Sequence, residues 1–209
     1  MKASTGFPRG THVLFGISGL LFIEGAAGLV PESCSGLSLA LARPAQAAVL
    51  LLIFMKAPGG LSSLGLSGPA FFKGVRTGIA WSLALGLVTG IFILMSGYSR
   101  AGLFARGHTG MLMVFTTCVS GPLAEELFFR GLIYAWMRRF SFVFAVLISA
   151  LVFALSHGTA SPSLFFIPAL PLAGGIIFAM AFERSKSLMG PLVIHVLGNF
   201  CVFTGGQIL

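Results

Sequence analysis

Aspartate is absent from this 209-residue sequence, and acidic side chains of any kind are scarce: five glutamates stand against thirteen lysines and arginines. The lack of aspartate excludes an aspartyl intramembrane protease, whose chemistry needs a pair of them. Charged residues make up only 9% of the chain, which excludes an ordinary soluble domain, where roughly 25% of residues are charged. The three cysteines, Cys34, Cys118 and Cys201, are odd in number and lie in or beside apolar runs, so they offer neither a disulfide framework nor a CxxC metal pair. They read as small apolar fillers. HExxH, whose histidines four apart bind zinc, is absent. No internal repeat stands out either, which makes a proton-coupled carrier an unattractive reading.

What is present is grease. Hydrophobic residues form 56% of the sequence, and they fall into helix-length runs. The expected fold is an all-α polytopic transmembrane helix bundle of about seven (six to eight) spans, forming a single integral-membrane domain over residues 1–209. The spans are read as about 13–30, 37–55, 76–95, 109–137, 142–157, 164–182 and 191–203. The first could be a signal peptide. A retained helix is the better reading, because the run is long and further spans follow. Pro44 is expected to kink or delay the second span, Gly158 to Pro162 to break the fifth, and Pro168 and Pro171 to bend or delay the sixth. Glu183, Arg184 and Lys186 read as a charged turn, and Glu24 as facing either the bundle or the outer end. Alternate loops carry nine basic residues against three, which places the N-terminus in the cytoplasm and, with seven spans, the C-terminus outside. The net charge of +8 is thus a topology signal toward anionic lipid, and no nucleic-acid partner is implied.

The least expected stretch is Gly121 to Arg139, where Glu125, Glu126 and Arg130 interrupt a run long enough to span. A carboxylate in mid-membrane costs about 2.5 to 3.5 kcal/mol on insertion scales, so it marks a functional site by default. Two later helices add His157, with Phe153 four residues before it, and His195 with Asn199. Residues four apart share a helix face, so Glu126 with Arg130, and His195 with Asn199, each point at one target. Neighbouring Glu125 and Glu126 diverge by about 100°, so one faces the site and the other Arg130. Either assignment is geometrically open. A carboxylate base, a histidine and an amide donor together suit hydrolysis of an amide. Residue counts from the cytoplasmic ends put Glu125, His157 and His195 at depths differing by ~10 Å at ~1.5 Å per residue, a gap that tilt or an earlier helix start must close.

Two other readings compete. A lone intramembrane His or Asn is commonly interhelical glue of about 0.6 to 2 kcal/mol. Gly16-Ile17-Ser18-Gly19 matches the GxSG of rhomboid serine proteases, but it precedes the HxxxN-like His195 to Asn199 instead of following it, and small residues in a membrane helix usually serve close packing. Taken in order, Glu125-Glu126-Leu-Phe-Phe-Arg130 resembles EExxxR, Phe153-Ala-Leu-Ser-His157 resembles FxxxH, and His195-Val-Leu-Gly-Asn199 resembles HxxxN. These motifs resemble the CAAX protease and bacteriocin-processing (CPBP, or Abi) family of glutamic-type intramembrane proteases, over a catalytic core of residues 110–203. The resemblance implies that Glu125 with His157 activates the hydrolytic water, that His195 and Asn199 form the oxyanion hole, and that Glu126, Arg130 and Phe153 support them. It implies no cofactor, with zinc held by a Glu and two histidines as the alternative. It also implies a membrane-associated or transmembrane protein or peptide substrate, in the inner membrane of a bacterial cell. The competing class is a non-catalytic polytopic protein, such as a bacteriocin-immunity or secretion-accessory factor.

Overall fold

A computed structural model of the chain describes residues 10–29, 35–96, 110–157 and 169–208. Seven long helices account for nearly all of them: α1 Gly10–Gly28, α2 Ser35–Lys56, α3 Gly68–Ser96, α4 Met111–Met137, α5 Phe142–His157, α6 Ala169–Ser185 and α7 Met189–Ile208. A short 3-10 turn, Gly60–Leu64, precedes α3, and no strand occurs among the described residues. Three stretches, Gly10–Gly28, Gly60–Ile91 and Met111–Met137, are long and apolar enough to cross a membrane, and two shorter apolar helices accompany them. Large apolar side chains such as Phe22, Leu83 and Leu170 stand on the outside, while Gln46, Glu126 and Arg130 are fully buried. A greasy exterior around a polar interior suits lipid as the solvent. The molecule is an all-α polytopic membrane bundle.

Helix α4 is the central element and touches α1, α2, α5, α6 and α7. Around it α5 packs along α6, α3 along α7 and α1 along α2. The main core joins Ala47, Leu50 and Phe54 of α2 with Leu64, with Ala124, Leu127 and Leu132 of α4, and with Leu188. The Gly16-Ile17-Ser18-Gly19 sequence serves this packing, as expected. Gly16 closes on Leu132 and Leu50, Gly19 on Val49, and the Ser18 side chain is exposed.

Two polar locks fix the ends. Glu183 of α6 accepts from Tyr134 Oη at 2.6 Å and from Arg138 Nε and Nη2 at 3.2 and 3.0 Å. Ser187 Oγ donates to Gly65 O at 2.7 Å, beside Leu188 N–H to Leu64 O at 2.8 Å. Gly65 has φ of 64°, and a Cβ there would run into the Lys186 carbonyl, so only glycine fits this lock.

Several boundaries differ from the sequence reading. Pro44 lies inside an unbroken α2 and does not delay it. Helix α6 starts at Ala169 with Pro171 in its first turn, where a missing N–H costs little. Glu183 and Arg184 belong to the last turn of α6, and the chain reverses instead at Lys186, with φ of 57°. The expected break at Gly158 to Pro162, and Pro168, lie outside the described residues.

Candidate active site

The polar group of α4 sits on an interrupted backbone. Thr116–Ser120 and Leu127–Tyr134 are wound as π-helix on either side of α-helical Gly121–Glu126. Such segments frequently accompany functional sites, because one wider turn re-aims the side chains around it.

Glu126 is fully buried. Its Oε1 accepts from Arg130 Nη1 at 3.0 Å and lies 2.8 Å from His195 Nδ1 of α7. Arg130 Nη2 donates to Gly175 O of α6 at 3.1 Å, and the guanidinium lies over the rings of Phe153 and Phe178 at 4.7 and 5.0 Å. A buried cation thus finds a carboxylate, a carbonyl and two ring faces in place of water; Nε lacks an acceptor among the described residues. Gly175 makes this reach possible. A Cβ there would stand 2.8 Å from Ala150 Cα, so α5 and α6 approach at backbone distance.

A carboxylate ion only accepts, so the His195 proton paired with Glu126 sits on Nδ1 and Nε2 faces the other way. That Nε2 is 3.7 Å from Glu125 Oε2. His157 approaches the same oxygen, its Nε2 also at 3.7 Å. Its Nδ1 lies 2.8 Å from the Phe153 carbonyl oxygen, again an acceptor, so the neutral ring presents its Nε2 lone pair to Glu125. Both separations are too long for a direct hydrogen bond. They suit one water within reach of the carboxylate and an imidazole. Glu125 Oε2 is buried and makes no hydrogen bond among the described residues. Two rings hold the histidines: Phe153 lies against His157 at 4.3 Å between centroids, and Phe178 stacks on His195 at 4.7 Å.

A cavity of about 370 Å³ opens on this group. Glu125, His157, His195 and Asn199 line it with Thr116, Thr117 and Arg43. Asn199 Nδ2 donates to the Thr117 carbonyl at 2.9 Å. A second cavity of about 350 Å³ shares Arg43, Glu125 and His157 with the first and is otherwise lined largely by apolar residues of α1 and α4. Arg43 is held between them. Its Nη1 lies 2.8 Å from Glu24 Oε1 and donates to Gln46 Oε1 at 2.8 Å, while Gln46 Nε2 donates to Glu24 Oε1 at 3.0 Å.

Glu125, Glu126, Arg130, Phe153, His157, His195 and Asn199, singled out from the sequence, are therefore gathered in one place, and the ~10 Å spread in depth is absent. The π-helical segment Leu127–Tyr134 separates Glu125 from the end of α4, where a count at the α-helical rise does not hold. Arg43, Gln46, Thr117 and Phe178 were missed. Arg43 lies near the start of the second span by sequence, and in the structure it is inside α2, one turn from the buried Gln46. Glu24, exposed one turn before the end of α1, pairs with these two residues of α2. Among the described residues no set of three or more His, Cys, Asp or Glu side chains is gathered closely enough to hold a metal ion.

Comparison with known proteins bears on the same region. Residues 107–201 match the family model described as Type II CAAX prenyl endopeptidase Rce1-like. The chain is 34% identical over 95 residues to the "Membrane-embedded CAAX protease MroQ" of Staphylococcus aureus, covering 42% of this chain and 36% of that protein. It is 32% identical over 89 residues to the "Putative membrane peptidase YdiL" of Bacillus subtilis, covering 42% of this chain and 34% of that protein. The chain thus spans about a third of the length of the curated relatives it matches. No solved structure matches it. The family resemblance read from the three motifs holds over this C-terminal region, which contains all of them.

Proposed function

We propose that this chain is an integral-membrane endopeptidase, with the Rce1-like stretch supplying its chemistry. The observation that carries the reading is Glu125 Oε2, a buried carboxylate oxygen flanked at 3.7 Å by two imidazole nitrogens and opening on a cavity. Glu125 and the His157 Nε2 lone pair accept the two protons of a water, leaving its oxygen lone pairs free to attack a peptide carbonyl. The water adds to the carbonyl carbon as one proton passes to Glu125, and the developing oxyanion takes hydrogen bonds from Asn199 and from His195. His195 donates through Nε2 in its doubly protonated form, with its Nδ1–H held by Glu126. The tetrahedral adduct collapses when the C–N bond breaks and Glu125 returns its proton to the leaving amine. Phe153 and Phe178 keep both rings in register.

The reading is metal-free and needs no cofactor, so cleavage is expected to persist in a strong chelator; complete loss there would transfer the role of Glu125, His157 and His195 to zinc ligation. The substrate is a membrane-associated or transmembrane protein or peptide: a C-terminal sorting tail, a peptide precursor, or a CAAX-like or lipidated protein. The protein sits in the inner membrane of a bacterial cell with its N-terminus in the cytoplasm, so a reporter fused after Leu209 reads as external. To test the activity, membrane peptides of cells carrying wild type, Glu125→Gln or His195→Ala are compared. Uncut precursor should accumulate in both variants, with Glu125→Gln slowing cleavage by about 10²- to 10⁴-fold, the usual weight of a general base. Identical peptide profiles at equal expression would sink the protease reading.

A further inference from the structure

We propose that Pro122 is a positioning residue for Asn199, acting through the carbonyl of Thr117; this rests on the endopeptidase reading above. In an α-helical register the Thr117 carbonyl accepts from the Gly121 N–H, but that N–H is directed to Thr116 O. In the π register its donor is residue 122, and a proline has no N–H to give. Thr117 O is therefore passed over by both helical patterns. An amide that can donate two hydrogen bonds meets the need, and Asn199 Nδ2 does so at 2.9 Å. Gly121 helps to set this register: a Cβ there would stand 2.9 Å from Thr116 O, tighter than side-chain carbons normally approach.

The consequence is an oriented amide. With one N–H held by Thr117, the Asn199 side chain is fixed on the wall of the cavity that Glu125, His157 and His195 also line. Its second N–H is the group that serves a developing oxyanion. Restoring an N–H at position 122 offers the Thr117 carbonyl, or the Cys118 carbonyl one residue on, a donor from within α4 and releases Asn199 to rotate.

The test is a double-mutant cycle on the precursor that accumulates in Glu125→Gln cells, using the full chain in native membranes. Pro122→Ala and Pro122→Ser each restore the N–H, and alanine at this site favours the helix, so both variants should fold at least as well as wild type by thermal unfolding. Each should lower kcat by about 3- to 10-fold, the range for losing one hydrogen bond, with KM unchanged. In an Asn199→Ala background the same substitutions should have no further effect, because the residue through which they act is gone. Full activity in both Pro122 variants overturns the proposal, and so does an equal loss with and without Asn199. If Asn199→Ala cleaves normally while Glu125→Gln does not, the positioning role falls and the endopeptidase reading stands. If Glu125→Gln cleaves like wild type, it is the endopeptidase reading that fails.

Discussion

Arg130 shows how much one residue is asked to hold. It is fully buried, yet it ties α4 to α6 through Gly175 and keeps Glu126 in place against His195. A buried ion pair is not a reliable source of net stability, but breaking one by removing a single partner typically costs about 3–5 kcal/mol, since the other charge is left alone. Arg130→Ala should therefore destabilise the protein by roughly that amount, while Arg130→Leu combined with Glu126→Gln should lose less than Arg130→Ala. Unfolding in mixed micelles, read by tryptophan fluorescence, checks the order of the two. At this scale much of the site was legible. Glu126 with Arg130, and His195 with Asn199, announce themselves by four-residue spacing in a helix, and two carboxylates in a chain without aspartate are conspicuous. Phe178 was not legible, because one phenylalanine among 21 carries no sign that it stacks on His195. The division of labour between Glu125 and Glu126 was equally open in the sequence, because it depends on which helix stands opposite each of them.

At the scale of elements, the helices follow from apolar run length, and the motifs fall on α4, α5 and α7 as the sequence indicates. The misjudged boundaries share a cause. Proline and charge were read as local punctuation, yet Pro44 continues α2 and Glu183 remains helical because tertiary partners decide: Gln46 and Arg43 meet Glu24, and Tyr134 and Arg138 meet Glu183. The π-helical segments of α4 have no periodic signature at all, so the contact from Asn199 to Thr117 was out of reach of any spacing argument. The α5–α6 crossing makes an element-scale prediction. A side chain at position 175 meets both Ala150 Cα at 2.8 Å and Ala150 Cβ at 3.0 Å, so Gly175→Val should force the helices apart at a cost of about 1–3 kcal/mol. Ala150→Gly should rescue it only in part, because it removes the Cβ contact and leaves the backbone contact; melting temperatures of the three variants measure the difference.

For the whole molecule, the family-like region is not a self-sufficient body. Ala47, Leu50, Phe54 and Leu64 lie before it in the sequence and form half of the core that encloses Ala124, Leu127, Leu132 and Leu188. A fragment starting at residue 107 should accordingly fail to accumulate in membranes, whereas co-expression with residues 1–100 as a separate chain should recover it; immunoblots of membrane fractions decide. The same partition runs through the cavities. Glu125 and His157 come from residues 107–201, which match the family, while Arg43 comes from α2, outside that region, and lines both cavities. On the endopeptidase reading, the reacting groups fall on the C-terminal stretch, while α2 contributes to the walls of both cavities. Under that reading, a lineage that kept α4, α5 and α7 and rewrote the cavity-facing residues of α1 and α2 would exchange its clientele while keeping the cutting groups, much as a lock is rekeyed without replacing the bolt.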